Sequence, residues 1–287
     1  MSSPAAPRRA RFLPLADAVA EYVHDGDAVA MEGFTHLIPF AAGREVIRQQ
    51  KRDLTLLRMT PDLIYDQLIG MGCARKLVFS WGGNPGVGSL HRFRDAVEHG
   101  WPRPLEIEEH SHAGMAAAYA AGAAGLPFAV LRGYLSTDLA RANPNVRVIE
   151  DPFSGEQLAA IPAHRPDVTI IHAQRADRAG NVLIEGIVGV QKEAALAAKH
   201  AIVTVEEIVD DLRAASPNSV VLPSWTLDAV VEVPGGAKPS YTHGYYRRDN
   251  AFYAAWDTIA RDRETFLAWM DEHLLQRQSA PAPGGRG

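Results

Sequence analysis

The feature that most constrains the fold of this chain is a regular alternation of helix-like and strand-like segments. Apolar residues between 15 and 23 recur at i, i+3, i+4, i+7 and i+8, the spacing of one helix face. A short apolar run over 28–31 follows and predicts a buried strand. Further strands are predicted over 54–59, 76–81, 105–108 and 128–132, with helices over 42–50, 62–69, 89–98 and 111–124 between them. This alternation predicts βαβ units, and therefore an α/β fold with three layers (αβα) and a mainly parallel central sheet.

The second half continues the pattern less regularly. A strand over 167–173, a turn over 177–181 and a strand over 182–184 form a hairpin or a longer β-connection. Beyond them we predict a helix over 194–199, a strand over 201–205 and a closing helix over 250–273. Both ends of the chain are rich in Pro, Gly or Ala. We therefore predict a single domain over residues 13–275, with disordered segments over 1–12 and 276–287.

Charge and apolar runs exclude several classes of protein. The 287 residues carry a net charge of -5, so nucleic acid and anionic membranes are not the expected partners, because clustered Lys and Arg bind both. No apolar run reaches the roughly 18 residues that span a bilayer. Arg8 and Arg9 resemble a twin-arginine export signal, but Asp17 and Glu21 interrupt the segment that would have to be apolar. We therefore expect a cytoplasmic protein. Cys73 is the only cysteine, which excludes an intrachain disulfide.

The first candidate binding segment is Glu32-Gly33-Phe34-Thr35-His36, at the end of the first long predicted strand. In open α/β sheets, ligands bind just beyond the carboxyl ends of the strands, and a glycine lets a ligand approach the backbone closely. Gly33, Phe34 and Thr35 are therefore candidate binding residues. The alternative is a plain strand-to-helix turn with Phe34 in the core.

The second candidate is a glycine-rich loop between a predicted strand and a predicted helix, Trp81 to Ser89. Accessible backbone N–H groups at a helix N-terminus suit a carboxylate, a phosphate or an oxyanion. No Gly-Lys-Ser/Thr follows, so the loop is not a P-loop. Ser89 is a candidate helix cap, and the alternative to binding is a structural turn. The candidate binding residues in this loop are Asn84, Gly86, Val87, Gly88 and Ser89.

The third candidate is Glu106-Ile107-Glu108-Glu109-His110-Ser111-His112. On a strand, Glu108 and His110 share one face and Glu109 lies on the other. Glu108, Glu109 and His112 are candidates for general acid–base work, and His110 for substrate binding. His110 and His112 also resemble a His-x-His metal pair, but no third ligand is near, so no metal is expected. The alternative is a solvated strand end followed by a helix that Ser111 caps.

Two weaker signals are interpreted as surface features. The acidic segment 206–211 is typical of a solvated face, with a divalent cation site as the alternative. Arg247 and Arg248 are interpreted as exposed side chains.

An ordered series of motifs resembles class I (family I) coenzyme A transferases. Asp25-Gly26, two further residues, the apolar run 29–31, Glu32-Gly33-Phe34 and Pro39 resemble the first signature of that family. The resemblance covers roughly residues 13–270 and is greatest to the A (alpha) subunit of glutaconate CoA-transferase. It implies the CoA-transferase (NagB/RpiA-like) fold. Its further segments lie at 21–27, 84–87, 92–94, 125–128, 167–174, 203–208 and 228–240.

This sequence departs from the family pattern at three places. Glu32 stands where the signature has its first glycine, and Pro39 lies slightly early. His110 or His112 stands where a family segment near the active site often carries a glutamine. The departures at Glu32 and at His110 or His112 bear on which acyl group the site accepts, and none of the three bears on the fold.

The resemblance implies covalent catalysis with a nucleophile from a second chain. In family members made of two chains, the B subunit carries a Ser-Glu-Asn-Gly motif whose glutamate attacks the acyl-CoA thioester. This sequence contains no Glu-Asn pair. The implied function is the A subunit of a heteromeric CoA transferase, active only with its B subunit. It moves CoA from an acyl-CoA to a carboxylic acid, and dicarboxylic acids are among the candidates. Coenzyme A thioesters are substrates, and no permanently bound cofactor is expected.

Two other functions remain open at this point. Some relatives of CoA transferases hydrolyse a carbon–carbon bond of a cyclic acyl-CoA in steroid catabolism, with a glutamate of the A chain near this strand end; Glu108 or Glu109 fits that role. The second alternative is a ligand-sensing domain without enzymatic activity.

Overall fold

Strands and helices alternate along the chain in the computed structural model, which describes residues 9–85, 87–212 and 219–276. The strands are β1 (Arg11–Phe12), β2 (Ala28–Glu32), β3 (Leu54–Arg58), β4 (Ala74–Phe79), β5 (Glu106–Glu109), β6 (Phe128–Leu131), β7 (Arg147–Glu150), β8 (Gln157–Pro162), β9 (Val168–Asp177), β10 (Val182–Ile184), β11 (His200–Val209), β12 (Val220–Leu222) and β13 (Ala229–Glu232). The helices are α1 (Leu15–Tyr22), α2 (Phe40–Arg48), α3 (Leu63–Gly70), α4 (His91–Glu98), α5 (His112–Ala123), α6 (Leu139–Ala142), α7 (Gln191–Ala197), α8 (Asn250–Arg261) and α9 (Arg263–Met270).

The central sheet is mainly parallel, which confirms the predicted fold class. Its strand order is β1-β13-β11-β9-β2-β3-β4-β5, and neighbouring strands in this order run parallel. Strands β10 and β12 extend the sheet as antiparallel neighbours beside the carboxyl-terminal half of β9. Successive strands move outward from β2 to β5, and the chain then returns to β9 and moves outward the other way. The order therefore reverses between β2 and β9, which is where open α/β sheets form their ligand crevice.

Helices cover both faces of the sheet because alternate strand residues are apolar on both sides. Val29 and Met31 of β2 pack with α1 to α4, α8 and α9, whereas Ala30 packs with α5 and α7. Strands that are buried on both faces have near-continuous apolar sequences, and the apolar run over 28–31 was predicted to be a buried strand for this reason.

A second, smaller sheet was not predicted as such. The strand predicted over 128–132 is β6, but it lies outside the central sheet and pairs antiparallel with β8, which also pairs with β7. Ala129, Ala159 and Ile161 of this sheet pack on Ala118 and Ala121 of α5. The small sheet therefore covers one side of α5.

Two boundaries differ from the predicted ones. The closing helix is divided at Asp262. The Asp262 carboxylate accepts a hydrogen bond from the N–H of Thr265 and so caps α9, which begins at the next residue. Arg11 and Phe12 pair with Ala229 and Val230, so ordered structure begins before residue 13. Residues 1–8 and 277–287 of the two predicted disordered segments lie outside the described residues. No helix of the described ranges is long and apolar enough to cross a bilayer.

Candidate active site

A cavity of about 240 Å³ opens where the carboxyl ends of β2, β3 and β4 meet the first turn of α5. It lies beside the reversal of strand order and holds both polar and aromatic side chains. Its volume is below the ~300–1,000 Å³ typical of sites for drug-sized ligands, so it suits a small acyl group. The lining residues are Phe34, Thr35, Ile38, Arg58, Thr60, Asp62, Trp81, Pro85, His112, Arg248 and Tyr253.

The loop after β2 has a tightly defined backbone. Gly33 has no room for a side chain, since a Cβ there would lie 2.5 Å from the carbonyl oxygen of Leu37. Thr35 and Leu37 have positive φ angles of 63° and 53°, which are unfavourable for residues with a side chain. Ser240 donates a hydrogen bond to the Thr35 carbonyl at 3.0 Å and so holds the loop from a distant segment. This conformation exposes Thr35 and turns Phe34 toward the cavity, where both had been predicted.

Arg58 and Asp62 form a buried ion pair in the cavity wall. Their side chains are 1% and 2% exposed, and Nη1 of Arg58 lies 3.3 Å from Oδ1 of Asp62. Nη2 of Arg58 also donates to the carbonyl of Gly33 at 2.9 Å. Burial raises the pKa of Asp62, and the neighbouring Arg58 opposes that rise. The pair therefore fixes the loop after β2 to the start of α3, and its two charges largely cancel within the wall.

A second arginine reaches the cavity from the far end of the chain. The guanidinium carbon of Arg248 lies 3.8 Å from the centre of the Tyr253 ring, and Nη2 donates to the carbonyl of Pro85 at 2.9 Å. The Tyr253 hydroxyl in turn donates to Asp62 at 3.4 Å. Arg248, interpreted from the sequence as an exposed side chain, is thus part of the wall.

His112 is the first residue of α5 and borders the cavity. Its Nδ1 lies 3.1 Å from Oγ of Ser80, and its ring meets that of Phe34 edge-on. The preceding Ser111 accepts a hydrogen bond from the N–H of Gly114 at 3.0 Å, which confirms the predicted helix cap. The cap thereby fixes His112 beside the carboxyl end of β4.

The glycine-rich loop contributes to the cavity through Pro85 and Trp81, and its candidate binding residues are used otherwise. Asn84 is buried, pairs through its backbone with Gly88, and donates from its side chain to the Tyr253 carbonyl at 2.8 Å. Neither Val87 nor Ser89 lines the cavity. The predicted cap by Ser89 is wrong, because α4 begins at His91 with Leu90 at the cap position.

Gly88 lies against Asp257 of α8 instead of the cavity, since a Cβ at Gly88 would lie 2.6 Å from the Asp257 carboxylate. Gly86 is outside the described residues.

Glu108 and Glu109 line a different cleft, between β5 and α6 with the residues that follow it, and His110 is buried next to Glu108. The Lys76 ammonium lies 2.9 Å from Glu108, and Nε2 of His110 lies 2.9 Å from the same carboxylate. Burial would raise the pKa of Glu108, but His110 and Lys76 hold it well below its usual value. Glu109 is exposed. The structure therefore does not bring these three candidates to the cavity that holds Phe34, Thr35 and His112.

Glu32, the departure from the family signature, also points away from the cavity. It is 2% exposed on the same face of β2 as Ala30, toward α5. Its carboxylate accepts a hydrogen bond from the N–H of Met59 at 2.9 Å. Burial raises the pKa of Glu32 to about 7, against the opposing effect of Arg58. Glu32 thus lies beneath the site and joins the ends of β2 and β3.

The acidic segment 206–211 is not a uniformly solvated face, because Glu206 is buried. Oε1 of Glu206 lies 2.7 Å from Nε2 of His172 and accepts a hydrogen bond from Thr242 at 2.9 Å. Its other oxygen accepts from the N–H of Gly235 at 2.6 Å. These contacts tie β9 and β11 to the segment that leads to Arg248. In the described ranges, no cluster of three or more His, Cys, Asp or Glu is arranged to hold a metal ion.

The fold and the cavity define a class of α/β proteins that hold a small acid or acyl group at the carboxyl end of a parallel sheet. Comparison with known proteins identifies the family. Residues 13–233 match the family described as Coenzyme A transferase. The chain belongs to this family, as an A-type subunit.

Three relatives place the chain within the family. It is 70% identical to the A subunit of the 3-oxoadipate CoA-transferase of Pseudomonas knackmussii, over 92% of this chain and 94% of that one. It is 36% identical to the A subunit of the glutaconate CoA-transferase of Acidaminococcus fermentans, over 92% and 88%. The crystal structure of that glutaconate enzyme superposes with a TM-score of 0.87 at 34% identity, covering 93% of this chain and 89% of that one. Identity to a cholesterol ring-cleaving hydrolase subunit of Rhodococcus jostii is 26%, over 93% of each chain.

Proposed function

We propose that this chain is the A subunit of a 3-oxoadipate CoA-transferase, which moves CoA from an acyl-CoA donor to 3-oxoadipate. The observation that carries the proposal is the 70% identity to the A subunit of such an enzyme, over nearly the whole of both chains. The cavity supports it, because it is small and Arg248 in its wall can bind the non-reacting carboxylate of a short dicarboxylic acid.

The nucleophile comes from a B subunit in this proposal. Asp62 is the carboxylate of the described cavity lining, and it is buried and paired with Arg58. A carboxylate held in that way is a poor nucleophile, because attack would leave the Arg58 charge buried without its partner. A glutamate of the B subunit, entering from the open side of the cavity, takes this role.

The reaction then proceeds by acyl exchange at that glutamate. Its carboxylate attacks the donor thioester, forms a mixed anhydride and releases the CoA thiolate. The thiolate attacks the glutamyl carbonyl, which yields a glutamyl-CoA thioester and the free donor acid. The carboxylate of 3-oxoadipate attacks this thioester, and the released thiolate then attacks the 3-oxoadipyl carbonyl of the new anhydride. The products are 3-oxoadipyl-CoA and the regenerated glutamate.

This chain contributes the acyl side of the site. Phe34, Trp81 and Tyr253 exclude water from the acyl chain, while Thr35 and His112 border the entrance with polar groups. Exclusion of water matters because an anhydride and a thioester are both hydrolysed when water reaches them. The cavity is too small for the whole coenzyme, so the nucleotide part of CoA lies outside it.

The proposal is tested by co-expressing the chain with its B subunit, followed by a mass-spectrometric assay of transfer. Acetyl-CoA and succinyl-CoA serve as donors, and 3-oxoadipate, glutaconate and acetate as acceptors. We expect 3-oxoadipyl-CoA from the complex and none from the separate subunits. Borohydride added after an acyl-CoA is expected to reduce a glutamyl thioester on the B subunit. Transfer by the isolated A chain, or a reduced residue on it, would contradict the proposal.

The ring-cleaving hydrolase is the less supported alternative. It requires a glutamate of this chain at the cavity, and both Glu108 and Glu109 lie in the other cleft. A complex that cleaves a carbon–carbon bond of cyclic acyl-CoA thioesters and transfers no CoA would restore this alternative.

A further inference from the structure

The two arginines of the cavity wall differ in how their charges are balanced. Arg58 is paired with the Asp62 carboxylate and also donates to the Gly33 carbonyl. Arg248 donates to a neutral acceptor, the Pro85 carbonyl. The Nε atoms of both arginines are buried with no hydrogen-bond partner among the described residues, so the difference between them lies in the counterion. With two guanidinium groups and one carboxylate, the described lining carries an excess positive charge, and that charge belongs to Arg248.

The position of Arg248 is fixed before any ligand binds. Its guanidinium lies against the face of Tyr253, whose backbone carbonyl is itself held by the side chain of Asn84. The next residue, Asp249, caps α8 by accepting a hydrogen bond from the N–H of Phe252 at 2.9 Å. A cation that is held by ring stacking and by a capped backbone loses little side-chain entropy when an anion binds.

The unbalanced charge of Arg248 identifies the missing partner as an anion. A charged group in a cavity wall that lacks a counterion is costly, and a carboxylate is the acceptor that a guanidinium binds best. A dicarboxylic acid that reacts through one carboxylate keeps the other as a charge to be bound. In the described lining, Thr35 and Thr60 offer neutral polar groups, and Arg58 already has its counterion.

We infer that Arg248 binds the distal, non-reacting carboxylate of the acyl group and so sets the preference of this site for dicarboxylic acids. This inference rests on the proposed CoA transfer and goes beyond it, because it assigns specificity to one residue of the A chain. The stacking on Tyr253 and the bond to Pro85 place the cation, and the ligand supplies the counterion that Arg248 lacks.

The test compares two acids that differ in the distal group alone. 3-Oxoadipate carries a carboxylate where 3-oxohexanoate carries a methyl group, and both offer the same reacting carboxylate beside the same ketone. The assembled complex is assayed with both acids for the wild type, for Arg248→Met and for Arg248→Lys. The matched control is Arg247→Met, which removes an exposed arginine one residue away.

We expect Arg248→Met to lower kcat/KM for 3-oxoadipate by about 10- to 150-fold, the range for loss of a hydrogen bond to a charged group. The value for 3-oxohexanoate should change by less than about threefold, and Arg248→Lys should fall between. Arg247→Met should leave both values near those of the wild type. An equal loss for both acids, or no loss for either, in Arg248→Met or in Arg248→Lys would overturn the inference.

The wild-type measurement separates this inference from the proposed function. If the wild-type complex does not transfer CoA to 3-oxoadipate, the proposed substrate is wrong. The role of Arg248 is then tested by the inhibition constants of adipate and hexanoate against whichever acid is transferred. Adipate must bind more tightly than hexanoate to the wild type, and that preference must disappear in Arg248→Met. Persistence of the preference would overturn the inference.

Discussion

Nε2 of His172 lies 2.7 Å from Oε1 of Glu206, within the two neighbouring parallel strands β9 and β11. The hydroxyl of Tyr246 donates to the same oxygen at 2.5 Å. Tyr246 also accepts a hydrogen bond from the N–H of Ala237. The pair therefore anchors both ends of the segment 235–246, and Arg248 follows two residues later. Glu206 is a positioning residue, because it acts on the cavity through this segment.

The first prediction concerns Glu206→Gln. Burial would raise the pKa of Glu206, but hydrogen bonds from His172, Tyr246 and Gly235 lower it to about 2. A lowered carboxylate pKa stabilises the folded state above the ordinary value near 4.5, and this contribution is lost as the pH falls toward 2. Urea unfolding at pH 7 should therefore give the variant a free energy of unfolding that is lower than that of the wild type by on the order of 2 to 3 kcal/mol. This difference between the variant and the wild type should narrow between pH 5 and pH 3.

A neighbouring residue supplies the control for this prediction. Glu207 follows on the same strand, and its side chain is exposed. Glu207→Gln should change stability by less than about 0.5 kcal/mol. In the assembled complex, Glu206→Gln should raise KM for 3-oxoadipate more than it lowers kcat, because Arg248 loses its support. A variant as stable as the wild type at pH 7 would contradict the anchoring role.

The sequence was a better guide to the fold than to the site, and particular residues explain why. Strand β2 was predicted because its residues face two apolar layers, a property written in consecutive positions. Arg58 is the last residue of β3. A charged residue at the end of a buried strand was the sequence feature that could have indicated its place in the site. Arg248 and Tyr253 lie 190 or more residues beyond Arg58 in the chain, and no local pattern indicates that all three line the same cavity.

The glycine-rich loop was overinterpreted for a related reason. Its glycines permit close packing, as at Gly83, where a Cβ would lie 2.7 Å from the Trp81 ring. Glycines that serve packing and glycines that admit a ligand give the same sequence. Three-dimensional contacts were needed to tell them apart.

The second prediction concerns the pH dependence of Glu32→Gln. The folded chain raises the pKa of this carboxyl from about 4.5 to about 7. The folded state therefore keeps a proton that the unfolded chain releases, and stability falls as the pH rises from about 4.5 to 7. The neutral variant avoids this cost, which is on the order of 3 kcal/mol. Its melting temperature should match the wild type near pH 4.5 and exceed it above pH 7.5.

Glu109→Gln is the control for that series. The Glu109 side chain is exposed, so water surrounds it in both the folded and the unfolded state. The melting temperature of this variant should therefore follow that of the wild type. The prediction is tested by thermal unfolding of the wild type and of both variants between pH 4.5 and pH 8.5. A Glu32→Gln variant that is less stable than the wild type at pH 8 would show that the ionised carboxylate is compensated inside the fold.

The third prediction concerns Gly33→Ala. The added methyl group would lie 2.5 Å from the Leu37 carbonyl oxygen and 2.8 Å from that of His36, and both are backbone atoms that cannot rotate away. The loop after β2 must then move, and Thr35 and Phe34 leave the cavity wall. We expect at least a 100-fold loss of kcat/KM, because small displacements of a positioned group already cost about that much.

Two other glycines provide matched controls for that substitution. A Cβ at Gly82 would meet its nearest atom, in the Phe93 ring, at 3.5 Å, an ordinary contact, and a Cβ at Gly133 would meet nothing within 4 Å. Gly82→Ala and Gly133→Ala should keep transferase activity within about threefold. If Gly33→Ala were as active as these two, the shape of the loop would not determine the site.

The last prediction separates the roles of Glu108 and Glu109. Glu108 lies between Lys76 and His110, both 2.9 Å away, and its side chain is 12% exposed. Glu108→Gln leaves Lys76 with its exposed partner Glu106, and should therefore destabilise the chain by about 1 to 3 kcal/mol. Transfer per folded complex should persist, because neither glutamate reaches the cavity. Glu109→Gln should change neither stability nor transfer. If Glu109→Gln abolished activity while the melting temperature stayed unchanged, a glutamate of this chain would take part in the chemistry, and the hydrolase mechanism would replace transfer through the B subunit.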